Sequence, residues 1–295
     1  MPLVHTRSFR VRYYECDAHN HLNNANYLRY MQETAFDAST AAGYDLERYD
    51  RMQRHWLIRA SGIEFLCPLV YNDRVDVKTW IADFRRVTSR RAYEFRKIES
   101  GDLVARAYTD WVFLDTRCNH PASIPPELVQ DFFPEGAPES FPSRPPFPKI
   151  PPPPQGAYKM LYKVAWNDLD SMQHVNNAVY LNYLTECGMR SLAEFGWSWE
   201  RLNVEGFAIN LRNIHIQYLL PALLDEELEI TTWISDVRRA TARRHFTICR
   251  SSDSALLAQA STFSVWVDPS SRKPVRIPRQ LLADLAPLIT TSSSS

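Results

Sequence analysis

Residues 175–181 read Val175-Asn176-Asn177-Ala178-Val179-Tyr180-Leu181, and 153 positions earlier the chain reads Leu22-Asn23-Asn24-Ala25-Asn26-Tyr27-Leu28. The same offset lays Thr79-Trp80-Ile81-Ala82-Asp83 over Thr232-Trp233-Ile234-Ser235-Asp236. It also lays Arg85-Arg86-Val87-Thr88-Ser89-Arg90-Arg91 over Arg238-Arg239-Ala240-Thr241-Ala242-Arg243-Arg244. Roughly thirty identities hold this single register with almost no gaps, far more than shared composition gives. The chain is a tandem duplication of one domain.

The seam is marked by proline. Of 20 prolines, half fall between Pro134 and Pro154, ending in Pro151-Pro152-Pro153-Pro154. Proline fixes φ and removes a backbone donor, so this stretch reads as an extended spacer. The expected organisation is a domain over 1–130, a proline-rich linker over 131–157 and a second domain over 158–290. Ser292 to Ser295 reads as a frayed tail.

Each copy carries the same pattern. A short strand is expected first, Phe9 to Tyr14 and Lys159 to Trp166. A polar loop then ends in Asn-Asn, a helix N-cap signal. The helix that follows, Ala25 to Ala42 and Ala178 to Phe195, is roughly 27 Å long and is stopped by Gly43 or Gly196. Tyr27, Tyr30, Met31, Thr34 and Ala38 recur at helical spacing and predict the packed face. Beyond the helix the chain reads as strand. Val75, Val77, Thr79 and Ile81 alternate with polar residues, as do Leu228, Ile230, Thr232 and Ile234. Ala105, Ala107, Thr109, Trp111 and Phe113 form another such run. The predicted class is α+β: one long helix lying on about five antiparallel strands per copy.

Composition narrows the function. With 34 basic and 34 acidic residues the chain is formally neutral, which argues against nucleic-acid binding through bulk charge. Hydrophobic residues make up 45% and charged residues 23%, which argues against a disordered or fibrous chain. Five scattered cysteines, Cys16, Cys67, Cys118, Cys187 and Cys249, form no CxxC pair and no disulfide framework. The polar start, Met1 to Phe9, and the lack of a run of about 20 apolar residues predict no signal core and no membrane span. A cytoplasmic protein is the expectation.

The second copy's Asp168-Leu169-Asp170-Ser171-Met172-Gln173-His174-Val175-Asn176-Asn177, followed by Tyr180 and Glu186, resembles the hotdog-fold thioesterases. It resembles both the 4-hydroxybenzoyl-CoA thioesterase type and the acyl-ACP thioesterases, and its D-x3-H-x-N-N-x2-Y core is specific to this superfamily but not to one substrate. Cys16-Asp17-Ala18-His19-Asn20-His21-Leu22-Asn23-Asn24, with Tyr27 and Glu33, is similar. Ile63-Glu64-Phe65 through Pro68 to Asp73-Arg74-Val75 resembles the family's second and third strands, as does Ile216-Gln217-Tyr218 through Pro221 to Glu226. The resemblance implies a tandem double hotdog, each copy a long helix wrapped by antiparallel sheet. It also implies two such domains paired sheet to sheet with sites at their interface, an intramolecular pseudo-dimer that could dimerise further.

The resemblance makes Asp170 and Asp17 the catalytic carboxylates of thioester hydrolysis, each as nucleophile or as general base on water. Backbone N–H groups at a helix N-terminus would polarise the carbonyl. His174 and His21, four residues on, are candidates to orient the carboxylate or contact the acyl group. Asn176, Asn177, Asn23 and Asn24 read first as helix caps that can also orient substrate. Glu186 and Glu33 on the helix are assigned a supporting role at the substrate. Arg85, Arg86, Arg90 and Arg91, with their counterparts Arg238, Arg239, Arg243 and Arg244, suit the phosphates of CoA or an acidic acyl carrier protein. The competing reading is a solvated hairpin edge.

Plant acyl-ACP thioesterases have an Asn between the Asp and the His, where this chain has His19 and Met172. Their Glu-Cys pair falls on Pro68 and Leu69, or on Pro221 and Ala222. An Asp-centred scheme remains. No metal is expected, because Leu169 and Met172 replace two of the trio Cys16, His19 and His21 in the other copy. Cys16 as nucleophile has no counterpart in the second copy, and no GxGxxG or P-loop suggests a cofactor. The expected function is hydrolysis of an acyl-CoA or acyl-ACP to free acid and thiol. Two alternatives stand beside it: a non-catalytic acyl-thioester-binding protein and a hotdog 3-hydroxyacyl dehydratase.

Overall fold

The computed structural model describes residues 1–141 and 143–290; the serine tail expected at Ser292 to Ser295 lies outside them. The chain divides into two compact units, Met1–Pro146 and Phe147–Ser295. Residues 131–146 of the proline-rich stretch thus go with the first unit. Asp131 and Phe132 fall in a helix, and Phe132 and Phe133 pack into its core.

Unit 1 runs β1 (Val4–Arg10), α1 (Asn24–Ala41), α2 (Leu46–Met52), β2 (Arg54–Phe65), β3 (Arg74–Phe84), β4 (Thr88–Lys97), β5 (Leu103–Asp115), the two-residue β6 (His120–Pro121) and α3 (Pro126–Phe132). Its strands are ordered β1-β3-β4-β5-β2, all antiparallel, with β6 on the end of β5. Unit 2 runs β7 (Tyr158–Lys163), α4 (Val179–Glu194), α5 (Trp199–Val204), β8 (Ala208–Tyr218), β9 (Glu227–Ser235), β10 (Thr241–Arg250), β11 (Leu256–Val267) and α6 (Arg279–Asp284). Its order, β7-β9-β10-β11-β8, is the same arrangement repeated.

The alternating runs face the helices as the period of two requires. Val75, Val77 and Thr79 are fully buried, as are Leu228, Ile230 and Thr232. Tyr27, Tyr30, Met31, Thr34 and Ala38 bury the inner face of α1. Both long helices end at a glycine in the left-handed region, Gly43 at φ +84 and Gly196 at φ +82, where a side chain is strained.

Two expectations need correction. The first strand of each copy was expected to run to Tyr14 and to Trp166. Instead β1 stops at Arg10 and β7 at Lys163, and Tyr13–Glu15 and Trp166–Asp168 form 3-10 turns. The cause is local. The Arg12 N–H goes to the Glu15 carboxylate at 2.8 Å and the Ala165 N–H to Asp168 at 2.9 Å, so the ladder is abandoned. The chain after the long helix is also not all strand, since α2 and α5 begin at side-chain caps from Asp45 and Ser198. At seven and six residues they are too short to show a helical period.

One buried group links this core to pH. His245 on β10 is 1% exposed, beside Trp233 on β9 and Ser261 on β11, with Nε2 2.7 Å from the Ser235 hydroxyl. Burial, reinforced by Arg243, pushes the imidazole down to about 4. The unfolded chain, with its histidine near 6.5, therefore binds a proton that the folded chain refuses. Stability contributed by this group is full above pH 6.5 and is lost as pH falls toward 4. Chemical denaturation at stepped pH should show this decline in wild type and a shallower one in His245→Gln. A second test concerns the α1 cap, where Asn23 Oδ1 accepts the Ala25 N–H at 2.8 Å. Asn23→Ala should lower unfolding free energy by about 1 kcal/mol, with Asn23→Asp retaining most of it.

Candidate functional site

After each 3-10 turn the chain closes a tight loop before entering the helix. In unit 1 the Asp17 N–H donates to the His21 carbonyl at 2.8 Å and the Asn20 N–H to the Asp17 carbonyl at 2.9 Å. In unit 2 the Asp170 N–H donates to the His174 carbonyl at 3.0 Å and the Gln173 N–H to the Asp170 carbonyl at 2.9 Å. Asn20 at φ +61 and Gln173 at φ +62 supply the left-handed residue that each closure needs. Cys16 bridges to Leu22, and Leu169 to Val175, across the mouth of each loop.

This closure aims the aspartates. Asp17 Oδ1 accepts the His19 and His21 N–H groups at 2.9 and 3.2 Å. Asp170 Oδ1 accepts the Met172 N–H at 2.9 Å and lies 3.7 Å from His174 Nδ1, while Oδ2 lies 3.5 Å from the Asn176 side-chain amide. Asp170 and His174 side chains remain 20% and 18% exposed, enough to meet a ligand. Asn176 Oδ1 also accepts the Ala178 N–H at 2.9 Å, so the first Asn of each pair ties the loop to the helix start. Asn24 is the first residue of α1, and the Asn177 carbonyl accepts the Tyr218 hydroxyl at 2.9 Å. Tyr27 and Tyr180, each 2% exposed, pack edge-on against Phe65 and Tyr218. Burial pushes the Tyr180 phenol up to about 12. Each loop thus holds an aspartate, a histidine and an asparagine at the positive end of a long helix.

Other assigned residues lie elsewhere. Glu33 and Glu186 are more than half exposed and pair with Arg7 at 3.2 Å and Arg190 at 2.6 Å. Glu33 is nine residues into α1, about 13 Å along the axis from its start. In this structure both stand on the helix surface in ion pairs.

The arginine clusters also divide. Adjacent residues on a strand point to opposite faces, so Arg90 and Arg91 cannot share one docking surface. Arg90 makes a two-pronged pair with Asp110 at 2.7 Å, and Asp110 also meets Arg144 at 3.4 Å. Arg144, from the proline-rich stretch, forks onto the buried Asp83. Arg91 is 6% exposed and lies over Phe132. Arg244 turns inward to the Ser191 hydroxyl at 2.6 Å, and Arg243 pairs with Asp236 at 3.3 Å. Only Arg85, Arg86, Arg238 and Arg239 are exposed in their hairpins.

Cys16 is no better placed as a nucleophile, because burial and then Asp17 push its thiol up. Among the described residues no group of three His, Cys, Asp or Glu side chains is arranged to hold a metal ion. No helix among them is long and apolar enough to cross a membrane.

Sequence reasoning passed over one pair. Glu15 and Asp168, related by the same offset, each stand two residues before a candidate aspartate. Tyr30 donates to Glu15 Oε2 at 2.6 Å and Tyr162 to Asp168 Oδ2 at 3.1 Å. Their retention as acids in both copies was the available signal.

Both halves of the chain resemble known proteins. Residues 2–132 match the acyl-ACP thioesterase N-terminal domain, and residues 164–285 match the thioesterase-like superfamily. The chain is 25% identical over 193 residues to the chloroplastic acyl-(acyl carrier protein) hydrolase FATB2 of Cuphea viscosissima, covering 62% of this chain and 47% of that protein. It is 24% identical over 193 residues to the palmitoyl-acyl carrier protein thioesterase of Cuphea hookeriana, covering 62% and 46%. The chain thus spans about half the length of these curated relatives. Its fold matches the 12:0-ACP thioesterase of Umbellularia californica with a TM-score of 0.71, at 20% identity over 89% of this chain and 94% of that one. An acyl-ACP thioesterase of Bacteroides thetaiotaomicron matches with a TM-score of 0.70, at 15% identity over 88% and 97%. The chain belongs to the hotdog-fold thioesterase superfamily, as a tandem pair of its domains.

Proposed function

We propose that the chain hydrolyses acyl thioesters to a free acid and a thiol, with an acyl group on acyl carrier protein as its first substrate class and acyl-CoA as the second. The observation that carries this reading is the Asp170 loop. One carboxylate oxygen is held by a main-chain N–H and the other lies beside the Asn176 amide, at the start of α4. The match of unit 1 to an acyl-ACP thioesterase domain supports the carrier.

The chemistry follows from that placement. As general base, the carboxylate takes a proton from water while the water oxygen attacks the thioester carbonyl carbon. The carbonyl oxygen gains negative charge, which N–H groups and the positive dipole end of the helix stabilise. Collapse of this intermediate breaks the C–S bond, and the thiolate leaves and takes up a proton. As nucleophile, a carboxylate oxygen attacks the carbonyl carbon, the C–S bond breaks and the thiolate leaves and takes up a proton, and water then cleaves the resulting anhydride to the free acid and the regenerated carboxylate. His174, with Nδ1 3.7 Å from Asp170 Oδ1, would orient the carboxylate in either route. Asp17, held by two loop amides, offers a second such centre. Arg85, Arg86, Arg238 and Arg239, exposed at their hairpin turns, would meet phosphate or an acidic carrier.

Free-thiol release from a panel of acyl-ACPs and acyl-CoAs tests this directly. Asp17→Asn and Asp170→Asn combined should lower kcat at least about 100-fold, the scale of general-base catalysis. A double variant that turns over like wild type would rule out the aspartate scheme. No thiol from any substrate with wild type would mean a binding protein instead.

A further inference from the structure

Each candidate aspartate is preceded by a second acid that does more than fill the turn. The Glu15 side chain is 8% exposed. Its carboxylate receives the Arg12 N–H at 2.8 Å and the Tyr30 hydroxyl at 2.6 Å. Its own carbonyl receives the Asn23 N–H and the Asn26 side-chain amide, both at 2.9 Å. One residue therefore binds the end of β1, the inner face of α1 and the N-cap of α1. Asp17 lies between these ties, inside the segment they define.

Unit 2 builds the same junction with different parts. Asp168 receives the Ala165 N–H at 2.9 Å and the Tyr162 hydroxyl at 3.1 Å, and its carbonyl receives the Asn176 N–H at 2.9 Å. The phenol that bonds Asp168 at this distance comes from strand β7, and the helix phenol of Tyr183 also faces the same acid. In unit 1 the matching strand position is Phe9, which has no hydroxyl and stacks on Tyr30 at 4.1 Å. Tyr162 lies 4.5 Å from Tyr183, the counterpart of Tyr30. The longer glutamate reaches the helix phenol, and the shorter aspartate takes the strand phenol. The two copies have changed both the acid and the donor, yet both still have a carboxylate–phenol bond two residues before the aspartate.

We propose that Glu15 and Asp168 are positioning residues, which fix the Asp17 and Asp170 carboxylates relative to the helix N-terminus. They do not touch substrate. The inference rests on the thioesterase reading of those aspartates. If the acid is made neutral, its donors meet a weaker amide oxygen in place of a carboxylate while the main-chain bond to the cap stays, and the aspartate two residues on can drift. A misplacement of about 1 Å lowers a rate by as much as about 100-fold without weakening binding to match.

Glu15→Gln with Asp168→Asn, assayed by thiol release, should lower kcat at least about tenfold while KM stays within about twofold. A residue that served only stability would lower the folded fraction without lowering turnover per folded molecule, so kcat is referred to active protein and thermal unfolding is read alongside. If that variant does not fold, Tyr30→Phe with Tyr162→Phe keeps both acids, removes both phenols and carries the test with the same expected split. A folded acid or phenol variant with wild-type kcat, while Asp17→Asn with Asp170→Asn is inactive, overturns the inference. Wild-type turnover in that aspartate variant too would instead overturn the reading on which it rests.

Discussion

Both halves of this molecule depend on a main-chain closure five residues long. Asp170 donates its N–H to the carbonyl of His174, and Asp17 donates to His21 in the same way. The loop can close only if one non-glycine residue, Gln173 or Asn20, takes the left-handed conformation. For an L-residue this costs on the order of 1–2 kcal/mol. Once closed, the loop turns the aspartate so that its own downstream N–H groups bind one carboxylate oxygen, and it delivers an asparagine to the helix start. The helix stop, the sheet order and the buried tyrosines hold that junction in place.

The two copies use the frame differently. Asp170 has Asn176 and His174 within reach of its carboxylate, whereas Asp17 is held by the amides of His19 and His21. The acids upstream differ in length and draw their phenols from different elements. A duplication that kept only its core would show matching apolar residues and drift at this turn. Here the turn itself is rebuilt to the same geometry.

Much of this was legible in the sequence. The 153-residue register gave the tandem architecture, and the alternation of Val75, Val77, Thr79 and Ile81 gave the buried strand face. Gly43 and Gly196 marked the helix ends. What stayed hidden depended on bonds that composition does not carry. Tyr13 and Tyr14 look like strand residues, and only the capture of the Arg12 N–H by Glu15 turns them into a 3-10 turn. The arginine pairs looked like one basic surface because strand alternation, which separates Arg90 from Arg91, leaves no mark in a count of charges. The ion pairs of Glu33 with Arg7 and of Glu186 with Arg190 likewise depend on the turn of each helix, which the sequence alone does not display.

The central claim is that a thioester sits against the Asp loop at the head of a long helix. A crystal structure of the full chain with a non-hydrolysable acyl-thioester analogue tests it most directly. The carbonyl carbon should lie within about 3.5 Å of the Asp170 or Asp17 carboxylate, or one water molecule away from it. An analogue bound with its carbonyl remote from both loops would contradict the account.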